Sequence, residues 1–352
     1  MKKVYFILPD LSAGGAERVS ITIARLLKKN GFVVEFLNLG NSFGEMSSWI
    51  EPEFQLTSLG CRKVSLALPK LTAFMKKHPD DRFFSSREHT NLIGLIAARC
   101  SRRDMIVRIP NMPNNRLWHG FSELKMNGIK ALNKRVLPYA KRVIAQNEEM
   151  RKQLLSFYSL PNEKVVAINN PIDKEFVVKS AEGCDPPFPL NAMIFLSVCT
   201  IDYRKGIDIL IKSWIKVKHA IPHAHLYVIG RDTSEYASQV KKEARMLKDI
   251  EFLGFKSNPY PYLKHCDVFV LPSRMEGFPN VVLEAMCFNK PVASTTCVDV
   301  IKDLICSGVN GYTCCVEDPE ALADAMIKAS ELRNIDNNYD LFHVDQLIEV
   351  FR

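Results

Sequence analysis

Short apolar bursts alternate with helix-patterned stretches along this chain, break off once, and then begin again. Val4 to Leu8 precedes Ala16 to Asn30, and Val33 to Leu39 follows; Leu92 to Arg99 precedes Met105 to Ile109; Arg142 to Ala145 precedes Glu148 to Phe157. Such alternation builds a parallel sheet covered by helices. It restarts with strands at Met193 to Val198, His225 to Ile229, Ile250 to Leu253 and Asp267 to Leu271, separated by helices at Ile207 to His219 and Glu235 to Leu247. Between the two series, Lys174 to Asn191 holds Gly183, Pro186, Pro187 and Pro189, and neither pattern survives there. The reading is α/β with two domains, 1–172 and 192–336, joined by a linker over 173–191. In the tail 337–352, Leu341, Val344, Leu347, Ile348 and Phe351 recur at helical spacing and predict a last amphipathic helix.

Length agrees with two domains, because 352 residues exceed the roughly 250 to 300 at which one core stops growing. A hydrophobic fraction of 47% and a charged fraction of 24% are those of an ordinary globular protein. The ten cysteines include no C-x-x-C pair and mostly fall in apolar runs, so they read as reduced and buried. Met1-Lys2-Lys3 before Val4 to Leu8 is too short for a secretory signal, and no apolar run approaches the ~20 residues of a membrane helix. The expectation is a cytoplasmic protein that can touch a membrane from the side.

A formal charge of +8 points to anionic partners. Between Arg116 and Arg142 seven basic residues face one acid, Glu123, with Leu117, Trp118, Phe121, Leu124, Met126, Ile129 and Leu132 interleaved. Two readings stand there: anchoring to an anionic membrane surface, or an amphipathic helix packed on its domain with a solvated basic face.

Three segments carry chemistry. Ser12-Ala13-Gly14-Gly15-Ala16-Glu17-Arg18 lies between the first strand and a helix, where glycines admit a ligand and a helix start welcomes an anion. Its spacing is neither the G-x-G-x-x-G signature nor a P-loop. Pro272-Ser273-Arg274-Met275-Glu276-Gly277-Phe278-Pro279-Asn280 follows a strand, and the helix continuing to Cys287 carries Glu284. Seven residues separate Glu276 from Glu284, so one carboxylate sits on the loop and the other about a turn into the helix. Both can face one ligand and accept hydrogen bonds from vicinal hydroxyls, with an anion at Gly277 between them. Asp202-Tyr203-Arg204-Lys205-Gly206 offers two adjacent cations that can neutralise a departing diphosphate. No D-x-D pair occurs, so neither a metal ion nor any other cofactor is expected.

On these residues the chain resembles the family-four retaining glycosyltransferases, over nearly its whole length. Glu276 to Glu284 is similar to that family's E-x7-E signature, Gly14-Gly15-Ala16-Glu17-Arg18-Val19 to its glycine loop, and Lys205-Gly206 to its diphosphate-binding lysine. Asn170-Pro171-Ile172-Asp173 resembles its N-P-x-D turn, and Ser307-Gly308-Val309-Asn310-Gly311-Tyr312 its G-x-x-G-x turn. The resemblance implies two Rossmann-like domains facing across a cleft, with the last helix crossing back onto the first. It implies that Glu284 holds the ribose, that Glu276 with the amides of Gly277 and Phe278 faces the transferred sugar, and that Lys205 holds the diphosphate. Gly14, Gly15, Pro279 and Asn280 complete the donor set, and the base lies at Gly254 and Phe255.

Two departures stand out. Cys199-Thr200 occupies the place of the family's Gly-Arg pair, which leaves Arg204 as the substitute cation. Where many members carry a first-domain histidine, this chain reads Ile109-Pro110-Asn111-Met112-Pro113, so Asn111, with Asn91, is assigned to the acceptor side. His89 and His119 read as surface or structural residues. The resulting expectation is a retaining, metal-independent transfer from a UDP-sugar, with GDP the second choice of base. The acceptor is a saccharide, lipid-linked at the inner membrane face, as in assembly of lipopolysaccharide, O-antigen or other surface polysaccharide; no nucleic-acid partner is expected. The alternatives are an epimerase or hydrolase of sugar nucleotides on the same fold, a non-catalytic nucleotide-binding subunit, and, against the missing fingerprint, a dehydrogenase.

Overall fold

The computed structural model describes residues 3–12, 14–40, 44, 46–50, 53–113, 123–183, 185–333, 335, 337 and 344–352. The chain forms two units, Met1–Asp173 with Asp340–Arg352, and Lys174–Tyr339. The first is built on strands β1 (Lys3–Leu8), β2 (Val33–Gly40), β3 (Gln55–Cys61), β4 (Arg82–Ser85), β5 (Met105–Arg108), β6 (Arg142–Ala145) and β7 (Val165–Ala167). The second holds β8 (Met193–Val198), β9 (Ala224–Ile229), β10 (Ile250–Gly254), β11 (Val268–Leu271), β12 (Val292–Thr295) and β13 (Gly311–Cys314). Their orders are β3-β2-β1-β4-β5-β6-β7 and β10-β9-β8-β11-β12-β13, and neighbouring strands run parallel, as in Rossmann-like sheets.

Strands covered on both faces must be apolar throughout, which is why the bursts read as continuous runs. In β1 the odd residues Tyr5 and Ile7 pack with Phe83, Met105 and Val107 on one face. The even residues Val4, Phe6 and Leu8 pack with Phe84, Ile106 and Ile144 on the other. Parallel register sets Phe6 opposite Phe36 and Phe84, with ring centroids at 5.4 and 4.7 Å. The tail helix, Val344–Phe351, seals that second face: Leu347, Ile348 and Phe351 are buried, and the Phe351 ring stacks on Phe6 at 6.3 Å. The last helix therefore does return to the first unit. Asn337, placed with the tail by its sequence, bonds to Asn310 and to the Met286 carbonyl and stays with the second unit. Leu341 lies outside the described residues.

Three other expectations need correction. The 173–191 segment is not a bare linker: Lys174–Ser180 forms a helix whose Phe176 meets Tyr260, and Asn258 donates to the Ser180 carbonyl at 2.6 Å. Phe188 then packs on Tyr227 at 4.6 Å, so the segment belongs to the second unit. A seven-residue helix beside three prolines is too short to show a period. Strands β3, β4, β7, β12 and β13 were not anticipated, because β3 is an edge strand with mixed polarity and the others span three or four residues. Of the cysteines, Cys100, Cys306 and Cys315 are exposed rather than buried; all the described ones are free thiols, and Cys184 lies outside the described residues.

The basic segment is described only in part. Residues 114–122, with Arg116, Leu117, Trp118, His119 and Phe121, lie outside it. Glu123–Val136 is a helix with Leu132, Lys134 and Arg135 exposed. Among the described residues no helix is long and apolar enough to cross a membrane.

Candidate active site

In the second sheet β8 and β11 are neighbours, but the chain leaves them toward opposite edges. A doubly wound sheet opens a crevice at such a reversal, outside the carboxyl ends of the strands. The loops that follow β8 and β11 rise there, carrying Lys205 and Glu276. Asp202 shapes the first loop, its Oδ1 accepting the Arg204 amide at 2.9 Å, and a short turn, Tyr203–Lys205, ends at Gly206 with φ 63°. A side chain at Gly206 would strain the backbone and strike the Pro272 carbonyl, so glycine is what lets the two loops touch.

The facing loop is pinned from below. Ser273 is fully buried, its carbonyl accepts from Thr295 Oγ1, and the Arg274 amide donates to the Arg204 carbonyl at 2.7 Å. This brings Lys205 Nζ to 2.6 and 2.8 Å from the two carboxylate oxygens of Glu276, and Ser273 Oγ donates to Glu276 Oε1 at 2.7 Å. Burial works against the Lys205 ammonium, but the Glu276 carboxylate outweighs it and holds the lysine above its ordinary value. Burial pushes the Cys199 thiol up to about 12, so this first residue of the Cys199-Thr200 pair is neutral beside Lys205.

Glu284 is the fifth residue of the helix Asn280–Met286 and is 6% exposed. The Phe278 side chain is buried and anchors the Gly277 turn, leaving backbone to line the crevice. At the end of β10, Gly254 has φ 68°, and the Phe255 ring lies 4.3 Å from the Arg231 guanidinium. Gly230 approaches the Cys199 carbonyl so closely that a Cβ would collide, which draws the end of β9 against the loop after β8. Phe255 after β10, Lys205 after β8 and Glu276 after β11 thus follow the carboxyl ends of three strands of one sheet.

Comparison with known proteins agrees. Residues 13–176 match the model for Glycosyltransferase Family 4, and residues 192–331 match that for Glycosyl transferases group 1. The chain belongs to the family-four glycosyltransferases. A Campylobacter jejuni relative, N-acetylgalactosamine-N,N'-diacetylbacillosaminyl-diphospho-undecaprenol 4-alpha-N-acetylgalactosaminyltransferase, is 26% identical, covering 84% of this chain and 81% of its own length. An Escherichia coli relative, UDP-Gal:alpha-D-GlcNAc-diphosphoundecaprenol alpha-1,3-galactosyltransferase, is 23% identical over 89% of this chain and 80% of its own. Among solved structures, Anabaena Alr3699/HepE in complex with UDP and glucose superposes with a TM-score of 0.78 at 17% identity, covering 100% of this chain and 98% of its own, which establishes the B-type glycosyltransferase fold.

Within this glycosyltransferase the remaining sequence assignments fall unequally. Arg204 is tied to Asp202, Nη2 to Oδ2 at 2.7 Å, and not to the Lys205–Glu276 pair. Gly14, Gly15, Asn91 and Asn111 belong to the first unit, at the matching crevice beyond β1 and β4. Gly14 caps the helix Gly15–Lys29, and the Glu17 carboxylate fills the space a Cβ there would take. Glu17 is buried and ion-paired to Arg87. Asn91, expected to face the acceptor, is 2% exposed; it accepts from Ser85 Oγ at 2.5 Å and donates to the Arg108 carbonyl at 2.9 Å, so it fastens β4 to β5 instead. Asn111 is partly exposed and bonds to Glu88. Ala13 and His119 lie outside the described residues, and His89 is exposed. Among the described residues no group of His, Cys, Asp or Glu is placed to hold a metal ion.

Sequence reasoning missed Ser273, Arg274, Asp208, Tyr236 and Glu317 in the second unit, and Glu88, Arg87 and Arg108 in the first. Ser273 and Arg274 lie inside the quoted motif, where their role depends on what they touch. The others come from separate loops and carry no spacing signal.

Proposed function

We propose that this glycosyltransferase moves a sugar from a UDP-sugar to a lipid-linked saccharide with retention at the anomeric carbon and without a metal ion. The observation that carries the donor reading is the Lys205–Glu276 pair at the β8–β11 crevice, with buried Glu284 about a turn into the helix that follows the Glu276 loop. As the bond from anomeric carbon to diphosphate oxygen breaks and the bond to the acceptor oxygen forms on the same face, negative charge moves onto UDP. Lys205 is already held where that charge develops, so little reorganisation remains for the reacting state. Glu276 accepts hydrogen bonds from hydroxyls of the transferred sugar, and Glu284 from those of the ribose. With the cation supplied by the chain, the diphosphate needs no metal.

UDP is favoured by the solved neighbour bound to UDP and by a relative named for UDP-Gal, and a polyprenyl-diphosphate acceptor by two relatives named for undecaprenol-linked substrates. The exposed Lys134, Arg135 and Leu132 give the first unit a surface that can meet anionic lipid. This supports work at the inner face of the cytoplasmic membrane, in surface-polysaccharide assembly.

The test is transfer from a panel of UDP- and GDP-sugars to a polyprenyl-diphosphate-linked N-acetylhexosamine, in chelator, with the product's anomeric coupling read by NMR. An α-linked product from one α-configured UDP-sugar is expected. A β-linked product contradicts retention, transfer abolished by chelator contradicts metal independence, and donor conversion without acceptor favours the epimerase or hydrolase reading.

A further inference from the structure

Three cations stand at the donor crevice, and one of them is saturated. Arg274 is 8% exposed in its side chain, and each of its five N–H groups has an acceptor. Nη1 donates to the Tyr203 carbonyl at 2.7 Å and to Asp208 Oδ1 at 2.7 Å; Nη2 donates to Asp208 Oδ2 at 2.8 Å and to Glu317 Oε2 at 3.1 Å; Nε donates to Glu317 Oε1. Its guanidinium plane also lies 3.9 Å from the centre of the Tyr203 ring. No donor group is left over for a ligand. Lys205, by contrast, is held by a single carboxylate, and Arg204 by Asp202.

The partners come from two segments. Tyr203 is in the turn that ends at Lys205 and Gly206; Asp208 opens the helix Ile207–Ala220 and is braced by Tyr236, whose hydroxyl accepts the Asp208 amide at 3.1 Å; Glu317 follows β13. Arg274 itself lies two residues before Glu276, and its amide donates to the Arg204 carbonyl at 2.7 Å. We propose that Arg274 is the positioning residue of the donor site, clamping the Lys205 turn to the Glu276 loop so that lysine and carboxylate stay in register. It acts through Lys205 and touches no substrate. A planar fork is required, because a lysine has three donors on one nitrogen and cannot replace five bonds made from three nitrogens around the guanidinium plane.

This assignment rests on the donor-site reading only for its functional consequence, so the experiment has two arms. Hydrogen exchange on Arg274→Lys should show the Tyr203 to Asp208 amides exchanging at least tenfold faster than in the unaltered protein, with β8 and β11 as protected as before. Calorimetric titration should show UDP affinity lowered tenfold or more while uridine, which lacks the diphosphate, binds within twofold of its original affinity. Should Arg274→Lys fold poorly, Glu317→Gln, altering a half-exposed partner, should give a smaller version of the same split. Unchanged exchange in the turn overturns the clamp, and a parallel loss of UDP and uridine shows a general structural role instead. If the unaltered protein binds no UDP, the donor reading fails, while the exchange arm still decides whether Arg274 holds the turn.

Discussion

The two sheets share the order of their first six strands, and each opens a crevice beside its first strand, but they handle charge differently. In the second unit three cations each meet a carboxylate: Lys205 meets Glu276, Arg204 meets Asp202, and Arg274 meets Asp208 and Glu317. In the first, Arg108 is 2% exposed and its side chain is solvated by neutral oxygens, with Asn170 Oδ1 at 3.1 Å from Nε and Ser86 Oγ at 2.8 Å from Nη1. Burial pushes that guanidinium down to about 9, opposed only by the field of Glu17. Beside it Glu88 is raised by burial to about 7, with a hydrogen bond from Asn111 pulling the other way. At the proposed donor crevice the acids hold Lys205 and Arg204 as full positive charges, while Arg274 is spent on holding the loops together. The first crevice pairs Arg87 with Glu17 but leaves Arg108 among neutral oxygens and Glu88 close to neutrality, a lining that suits the hydroxyl-rich saccharide of the proposed acceptor.

Removing a charge from each crevice separates the two. Lys205→Ala should lower turnover by about a hundredfold or more, since losing one preorganised donor to developing charge typically costs ~3 to 4 kcal/mol of barrier. Thermal melting of that variant should also fall, because Glu276 is left without its cation in a largely buried place. Near-normal turnover would break the comparison at its stronger end.

Glu88→Gln should give the smaller effect, seen in stability rather than in rate. A carboxyl raised from 4.5 to about 7 lets the folded protein bind more protons than the unfolded chain between those values, so stability falls as pH rises through that window. Asn111 and Tyr158 are the groups that face Glu88, and Arg87 next to it is occupied by Glu17. The full shift, discounted for partial solvent screening, corresponds to no more than about 2 kcal/mol. Melting curves from pH 4 to 8 should therefore slope downward for the unaltered protein and flatten for Glu88→Gln; parallel curves would show that Glu88 titrates as an ordinary carboxyl.

The same contrast explains what could be read from the residues in a row. The Lys205–Glu276 pairing was legible because its parts lie in two short motifs, where Lys205-Gly206 and Glu276 to Glu284 have fixed spacing and follow strands with strong apolar runs. The first-unit crevice draws Glu17, Ser86, Arg87, Glu88, Arg108 and Asn170 from four separate segments, so no spacing announces it. Asn91 illustrates the limit: a polar residue near a strand end looks like a ligand contact until its amide is found bonded to Ser85 and to the Arg108 carbonyl. The helix Lys174–Ser180 was hidden for a related reason, since its docking on Tyr260 and Asn258 is a tertiary fact.

The central claim, that the β8–β11 crevice binds the nucleotide donor, is tested most directly by calorimetric titration of UDP into the unaltered protein and into Glu284→Ala, in chelator. The account predicts saturable binding that weakens tenfold or more in Glu284→Ala, as expected when buried hydrogen bonds from ribose to a charged carboxylate are lost. Equal binding by both proteins, or none by the unaltered one, would contradict it.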